Sequence, residues 1–369
     1  MAVAERLQKM AEEMVRHDFA AMALNAGPTL SYLTGLNFHL MERPVVMIFV
    51  PGADPAIVLP ELELPKLETL PFALRVHPYG ENPLGWPAVF ASALGELGLG
   101  GARIGVEPRQ MRLLEYELLR KACGDARFLD GSAVFAALRA KKDAAEVAAM
   151  RRAVTIAEDA LTATLAKVRI GTTEKEIAAE LFLQLLAHGS DLVLPFSPIV
   201  AAGPNAANPH AKPSARPLSS GDLLIVDWGA AFEGYVSDLT RTFAVGDLDE
   251  ESRRIFAAVL AANEAGRAAG RPGVSCAEVD RRTRQVIEDA GYGPRFTHRT
   301  GHGLGRECHE DPYIRGDNEQ LLEAGMAYTV EPGIYLPGRN GVRIEDDVVV
   351  TADGAESLST MARELRFIV

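Results

Sequence analysis

Cysteine is scarce in this chain. The three among 369 residues, Cys123, Cys276 and Cys308, are too few and too scattered for a disulfide framework. That scarcity points to a reducing compartment, the cytoplasm. Long apolar runs are absent too: none approaches the roughly 18–20 residues that a membrane span needs. The start, MAVAERLQKMAEEMVRHDF, has no apolar stretch and no cleavage-like site, so a secretory signal is not expected. Basic charge is in deficit, with Lys+Arg at 38 against Asp+Glu at 50 and a net charge of −12. An acidic surface repels phosphate backbones and anionic lipid, which sets nucleic-acid and membrane roles aside.

What is present is globular in composition, 48% hydrophobic and 24% charged. The length implies two or three domains. Residues 1–20 have the spacing of an amphipathic helix. A βαβ alternation follows: apolar runs at Val45–Val50 and Ala56–Leu59, a helix over Trp86–Leu97, a strand at Arg103–Val106 and a helix over Arg112–Cys123. This part reads as a three-layer α/β domain, residues 1–131. The composition then changes, and Leu138–Leu165 reads as one long Ala-rich helix. The fold class is α/β (α+β), with a second domain at 132–369.

The second domain contains a repeat. Gly171–Ile177 (GTTEKEI) returns as Gly273–Val279 (GVSCAEV), 102 residues on, and both carry the Thr/Ser-x-x-Glu capping box that opens a helix. Gly221–Gly229 is matched by Gly325–Gly333 at an offset of 104. Two helix-then-hairpin units at nearly one offset imply a duplicated half-domain with a cleft on its pseudo-twofold axis. In the first hairpin, Asp227 and Asp238 are symmetric about a turn at Phe232–Gly234; in the second, Glu331 and Glu345 are symmetric about Gly338. Residues opposite one another in an antiparallel pair have Cβ atoms about 4.5–5.5 Å apart, so each pair is expected to share a face. A bulge would move either register by one. Four carboxylates in partly buried strands repel one another and lose hydration unless cations neutralise them. Two facing pairs suit two divalent ions about 3.5–4 Å apart. His302, in Gly301-His302-Gly303, offers a nitrogen ligand. An oxygen-rich site with one imidazole favours Mn²⁺ or Co²⁺ and also accepts Zn²⁺. A phosphate-loop reading of Gly301–Gly305 fails, because no Lys-Ser/Thr follows and no helix opens there.

Asp227, Asp238, His302, Glu331 and Glu345, spaced by 11, 64, 29 and 14 residues, resemble the ligand set of the M24 metallopeptidases with the pita-bread fold. The spacing is similar to that of the shorter Xaa-Pro dipeptidases (prolidases), and the resemblance covers roughly 140–369. The N-terminal domain also looks like that subgroup; methionine aminopeptidases share the catalytic fold but usually lack such a domain. The resemblance implies a pseudo-twofold pita-bread catalytic domain behind a creatinase/prolidase-like N-terminal domain. It implies a dinuclear-metal exopeptidase that cleaves Xaa-Pro dipeptides through a metal-bridging hydroxide. Asp227 would chelate one metal, Asp238 and Glu345 would bridge both, and His302 and Glu331 would complete the second. Glu331 would also shuttle the proton to the leaving nitrogen. By the same resemblance His210 and His309 would hold the scissile carbonyl, His298 would contact substrate, and Arg343 would pair with Asp227.

Substrate length turns on the dipeptide carboxylate, which needs a cation. Some archaeal prolidases carry an Arg after the His-Glu-x-Pro segment; here Tyr313 follows His309-Glu310-Asp311-Pro312. Arg315 and Arg43 are candidates, and Arg43 or His39 is expected to block the far side and limit substrates to two residues. Phe196, Tyr292, Phe296 and Tyr313 are candidates for the proline pocket. The rival readings are an Xaa-Pro aminopeptidase acting on longer peptides and a non-catalytic pita-bread binding protein. A homodimer and small peptide substrates follow from the resemblance.

Overall fold

The computed structural model describes residues 1–368, which divide into two units at Arg139/Ala140. The first is built on a six-stranded sheet. Its order is Arg75–Tyr79, Ala56–Pro60, Val46–Phe49, Ala21–Asn25, Arg103–Val106, Arg127–Asp130. Alternation along the strands feeds two cores, one on each face. Met22, Leu24, Met47, Phe49, Ile57 and Leu59 pack on one side with the helices Val3–Arg16 and Ser132–Arg139. Ala21, Ala23, Val46, Ile48 and Val58 pack on the other with Trp86–Glu96 and Leu113–Ala122. Three layers result, as the βαβ alternation implies.

The long Ala-rich helix expected over Leu138–Leu165 is two helices, Ser132–Arg139 and Ala144–Leu165. The break has a local cause. The Asp143 side chain accepts hydrogen bonds from the backbone N–H groups of Ala145 and Glu146, and Glu146 reaches back to the Asp143 N–H. That capping box starts a new helix at Ala144. Val134, Phe135 and Leu138 are buried in the N-terminal core, so Ser132–Arg139 belongs to the first unit.

The second unit shows the repeat in three dimensions. Helices Glu174–Ala187 and Cys276–Asp289 are each 14 residues, capped by Thr173 and Ser275 through the N–H of Glu176 and Glu278. The Gly171 N–H donates to Leu218 O, and the Gly273 N–H donates to Leu322 O. One sheet has the order Arg366–Phe367, Leu239–Val245, Asp222–Trp228, Ile199–Ala202; the other has Glu310–Ile314, Gly301–Gly303, Ala327–Val330, Asp346–Val350, Ala355–Ser357. Leu224, Val226 and Trp228 face a core under the helix Ala144–Leu165, with the Trp228 indole N–H donating to Ala157 O at 2.7 Å. Asp227 therefore faces the other way. Tyr328, Val330, Val348 and Val350 enter a second core, which turns Glu331 and Glu345 to the opposite face.

The registers decide how the acids meet. In the second hairpin Val330 pairs with Asp346 and Gly333 with Arg343, so Glu331 lies opposite Glu345 about Gly338, as the symmetry argument requires. In the first, Asp227 pairs with Thr240 rather than with Asp238. The turn is Glu233-Gly234, both at positive φ (52° and 74°), and Phe232 pairs with Tyr235. This two-residue turn matches strand twist and sets the register two residues away from the expected one. A shift of two keeps the face, so Asp238 sits diagonally from Asp227 on the same side. The hairpins join at Thr240 and Glu345: the Glu345 N–H donates to Thr240 O at 3.0 Å, and the Thr240 hydroxyl donates to Glu345 Oε2 at 2.7 Å. No helix among the described residues is long and apolar enough to cross a membrane.

Candidate metal centre

Asp238, Glu331 and Glu345 stand where the strands are interrupted, so their carboxylates lie beside the ladder rather than along it. His302 sits on the short strand Gly301–Gly303, whose register shifts between His302 and Gly303. A Cβ at Gly301 would lie 1.8 Å from Thr329 O, and one at Gly303 would lie 2.3 Å from Asp311 O. Glycine on both sides is what lets this strand slot between its neighbours with the imidazole turned to the acids. His302 Nε2 is 3.3 Å from Glu331 Oε1 and 3.6 Å from Asp238 Oδ2.

Three overlapping groups have donor atoms mutually within 4.8 Å: Asp227/Asp238/Glu345, His302/Glu331/Glu345 and Asp238/His302/His309. Asp238, His302 and Glu345 each occur in two of them. Asp227 Oδ1 is buried with no hydrogen-bond partner among the described residues. An orphaned buried acceptor costs about 1–3 kcal/mol, and a cation satisfies it. The donor set therefore fits divalent metal.

Charge is the problem that the site solves. Burial, and then neighbouring Asp227, push the Asp238 carboxyl up to about 7. Burial, and then Asp238, Glu331 and Asp227, hold Glu345 well above the ordinary carboxylate range. Burial raises Asp227 as well, although Arg343 opposes it. Glu331 goes the other way: burial would raise it, but the hydrogen bond and charge of His302 bring it down to about 2. Burial opposes protonation of His302, and its bond to Glu331 outweighs this and raises it.

The metal-free site thus holds protons that an unfolded chain releases above about pH 4. Divalent metal must displace them, so apparent metal affinity is expected to rise with pH up to about 7. Glu331 stays ionised throughout that window. Calorimetry at pH 5.5 and 7.5, in buffers of different ionisation enthalpy, should show weaker binding and greater proton release at the lower pH. Affinity that is flat with pH would contradict this.

The architecture and the donor set have counterparts. Residues 148–352 match Metallopeptidase family M24, and residues 6–141 match the Creatinase/Prolidase N-terminal domain. The chain belongs to metallopeptidase family M24. It is 32% identical to an Xaa-Pro dipeptidase of Lactobacillus delbrueckii subsp. lactis, over 98% of both chains. It is 37% identical to the probable dipeptidase PepE of Mycobacterium tuberculosis, over 98% of this chain and 96% of the relative. The structure of a recombinant prolidase from Thermococcus sibiricus superimposes with a TM-score of 0.94 at 33% identity, covering 100% of this chain and 99% of that one.

Around the donors of this M24 peptidase lies a frame of hydrogen bonds. Arg343 pairs with Asp227; its Nε donates to the Thr240 hydroxyl at 3.1 Å and its Nη1 to the Tyr335 hydroxyl at 3.1 Å and Pro209 O at 3.3 Å. The Asp238 N–H donates to Asp347 Oδ2 at 3.1 Å, and the Cys308 thiol lies 3.0 Å from Asp238 Oδ2. His298 shares a hydrogen bond with the Tyr335 hydroxyl at 2.8 Å and lies 3.9 Å from Glu331 Oε2. The His302 and His309 rings meet at 4.0 Å between centroids. Partial burial and the nearby His302 hold His309 down to about 4, so it is neutral at neutral pH. His210 is exposed.

The other sequence candidates have these surroundings. Arg43, in the first unit, is held by Glu81 at 3.0 Å and Glu42 at 2.8 Å, and His39 is exposed. Arg315 pairs with exposed Asp317. Phe296 is buried in a core with Ile255 and Ile287, on which Tyr292 also packs, and its ring meets that of His298 at 5.1 Å between centroids. Phe196 is half-buried. Tyr313 pairs with His302 across the strands. Sequence reasoning missed Thr240, Tyr335 and Asp347. The strand alternation that turned Asp238 and Glu345 inward places Thr240 and Asp347 beside them, which was the available signal; Tyr335 gave none.

Proposed function

We propose that this M24 chain is an Xaa-Pro dipeptidase. The observation that carries this reading is the convergence of Asp227, Asp238, Glu345 and Glu331 on His302, with donor atoms within 4.8 Å in each overlapping group. Asp227, Asp238, His302, Glu331 and Glu345 are the proposed ligands of two divalent ions, Mn²⁺ or Co²⁺ before Zn²⁺. Bound there, the ions would supply Lewis acidity and a water of lowered pKa.

The chain's own groups perform the rest. Glu331, ionised at neutral pH and 15% exposed, accepts a proton and delivers it to the departing proline nitrogen. Neutral His309, together with His210, would donate an N–H to the scissile carbonyl oxygen as charge builds there. His298, steadied by Tyr335, faces Glu331 and borders the substrate. The anionic cluster holds the free amine. An Xaa-Pro bond has no N–H to bind, so a site that polarises the carbonyl loses nothing by that absence.

The test is a length series on manganese-loaded enzyme: Ala-Pro, Ala-Pro-Ala and Ala-Ala. The reading expects Ala-Pro to be cleaved best. Preference for Ala-Pro-Ala would favour an aminopeptidase, and no hydrolysis with metal would favour a binding protein. In the same series Arg43→Ala is expected to release tripeptide cleavage; unchanged rates would remove Arg43 and His39 from the length limit. A reducing compartment, the cytoplasm, suits the three free cysteines, and a homodimer is proposed from the family resemblance alone.

A further inference from the structure

A dipeptide is a zwitterion, and the site described above accounts for one end of it. Arg343 bears on Asp227, Glu331 and Glu345, so that side remains a cluster of acids around one buried cation. Arg343 is buried and spends four of its five N–H donors on Asp227, Thr240, Tyr335 and Pro209 O. The substrate carboxylate needs a different cation.

Arg315 and Arg43 are taken up by ion pairs with Asp317, Glu81 and Glu42. Arg284 is taken up by Asp280 and the carbonyls of Phe296 and His298. Arg299 differs. It is half-buried, three residues before His302, and its guanidinium stacks 4.9 Å from the ring centroid of Tyr313. Tyr313 is the register partner of His302. Among the described residues no carboxylate pairs with Arg299. That stacking and that register pairing place it on the histidine side of the centre.

We propose that Arg299, backed by the Tyr313 ring, is the residue that binds the substrate's C-terminal carboxylate and so sets specificity for dipeptides. This rests on the Xaa-Pro dipeptidase reading. Stacking leaves the edge of the guanidinium free, and that edge is the fork that grips a carboxylate with two parallel N–H donors. The arrangement orients the substrate with its amine on the acids and its carboxylate on Arg299, which leaves the peptide carbonyl between them, beside His309.

The experiment compares Ala-Pro with Ala-Pro amide, which lacks the charge, on manganese-loaded enzyme. The wild type is expected to prefer Ala-Pro by about 10- to 100-fold in kcat/KM, the worth of one charge-assisted contact. Arg299→Met should reduce the ratio to near one, mainly through KM, with manganese binding unchanged. Arg299→Lys, which keeps the charge but not the fork, should retain part of the preference, and it serves as the deciding variant if Arg299→Met does not fold. A wild-type ratio that survives in Arg299→Met, or in full in Arg299→Lys, overturns the assignment while leaving the dipeptidase reading intact. A wild type that cleaves neither compound overturns both.

Discussion

Asp238→Asn is expected to lower kcat/KM for Ala-Pro about a thousandfold or more, even with excess manganese. Asp238 belongs to two of the three overlapping donor groups, one with Asp227 and Glu345 and one with His302 and His309. Its loss therefore weakens both halves of the centre at once. Asn is the same size and its oxygen can still face the Cys308 thiol, so packing is preserved. The carboxyl it replaces is raised by burial and by Asp227. Ionised in the folded chain, that group costs stability as pH climbs from the ordinary carboxylate range to about 7, and the cost remains at higher pH. In chelator at pH 8 the variant should thus melt higher than the wild type, while losing activity and bound metal. Activity within tenfold of wild type, or a lower melting temperature without metal, would contradict the account.

Arg343→Met is expected to destabilise the protein by about 3–5 kcal/mol, because it leaves the buried Asp227 charge without its partner. Among the described residues Arg343 is the cation whose guanidinium binds Asp227, and it also ties Thr240, Tyr335 and Pro209 O. For a unit of this size the loss corresponds to a melting temperature lower by roughly 10 °C. Asp227→Asn combined with Arg343→Met should recover part of that stability, since the uncompensated charge is gone. It should recover no activity. Calorimetry of both variants beside the wild type decides the matter; a single variant as stable as the wild type would mean that Asp227 is not held by charge.

The two hairpins show what the sequence could and could not reveal. Symmetry about Gly338 placed Glu331 opposite Glu345 because that hairpin keeps one register through its interruption. The same reasoning missed by two residues in the first hairpin, where Glu233 takes a positive φ that its side chain does not advertise. The face survived because strand alternation has period two. The helix break at Asp143 was present as a capping box, Asp-x-x-Glu, but the Ala-rich run hid it. Arg299 and Tyr335 were illegible for another reason. Their roles come from contacts between segments, Arg299 with Tyr313 and Tyr335 with Arg343 and His298, and no local pattern encodes those.

The central claim is that carboxylates from two hairpins tolerate one another because cations sit among them. Anomalous diffraction from a manganese-soaked crystal tests it most directly. The account predicts two manganese peaks enclosed by Asp227, Asp238, His302, Glu331 and Glu345. A featureless map there, or manganese bound only at other acids, would contradict it.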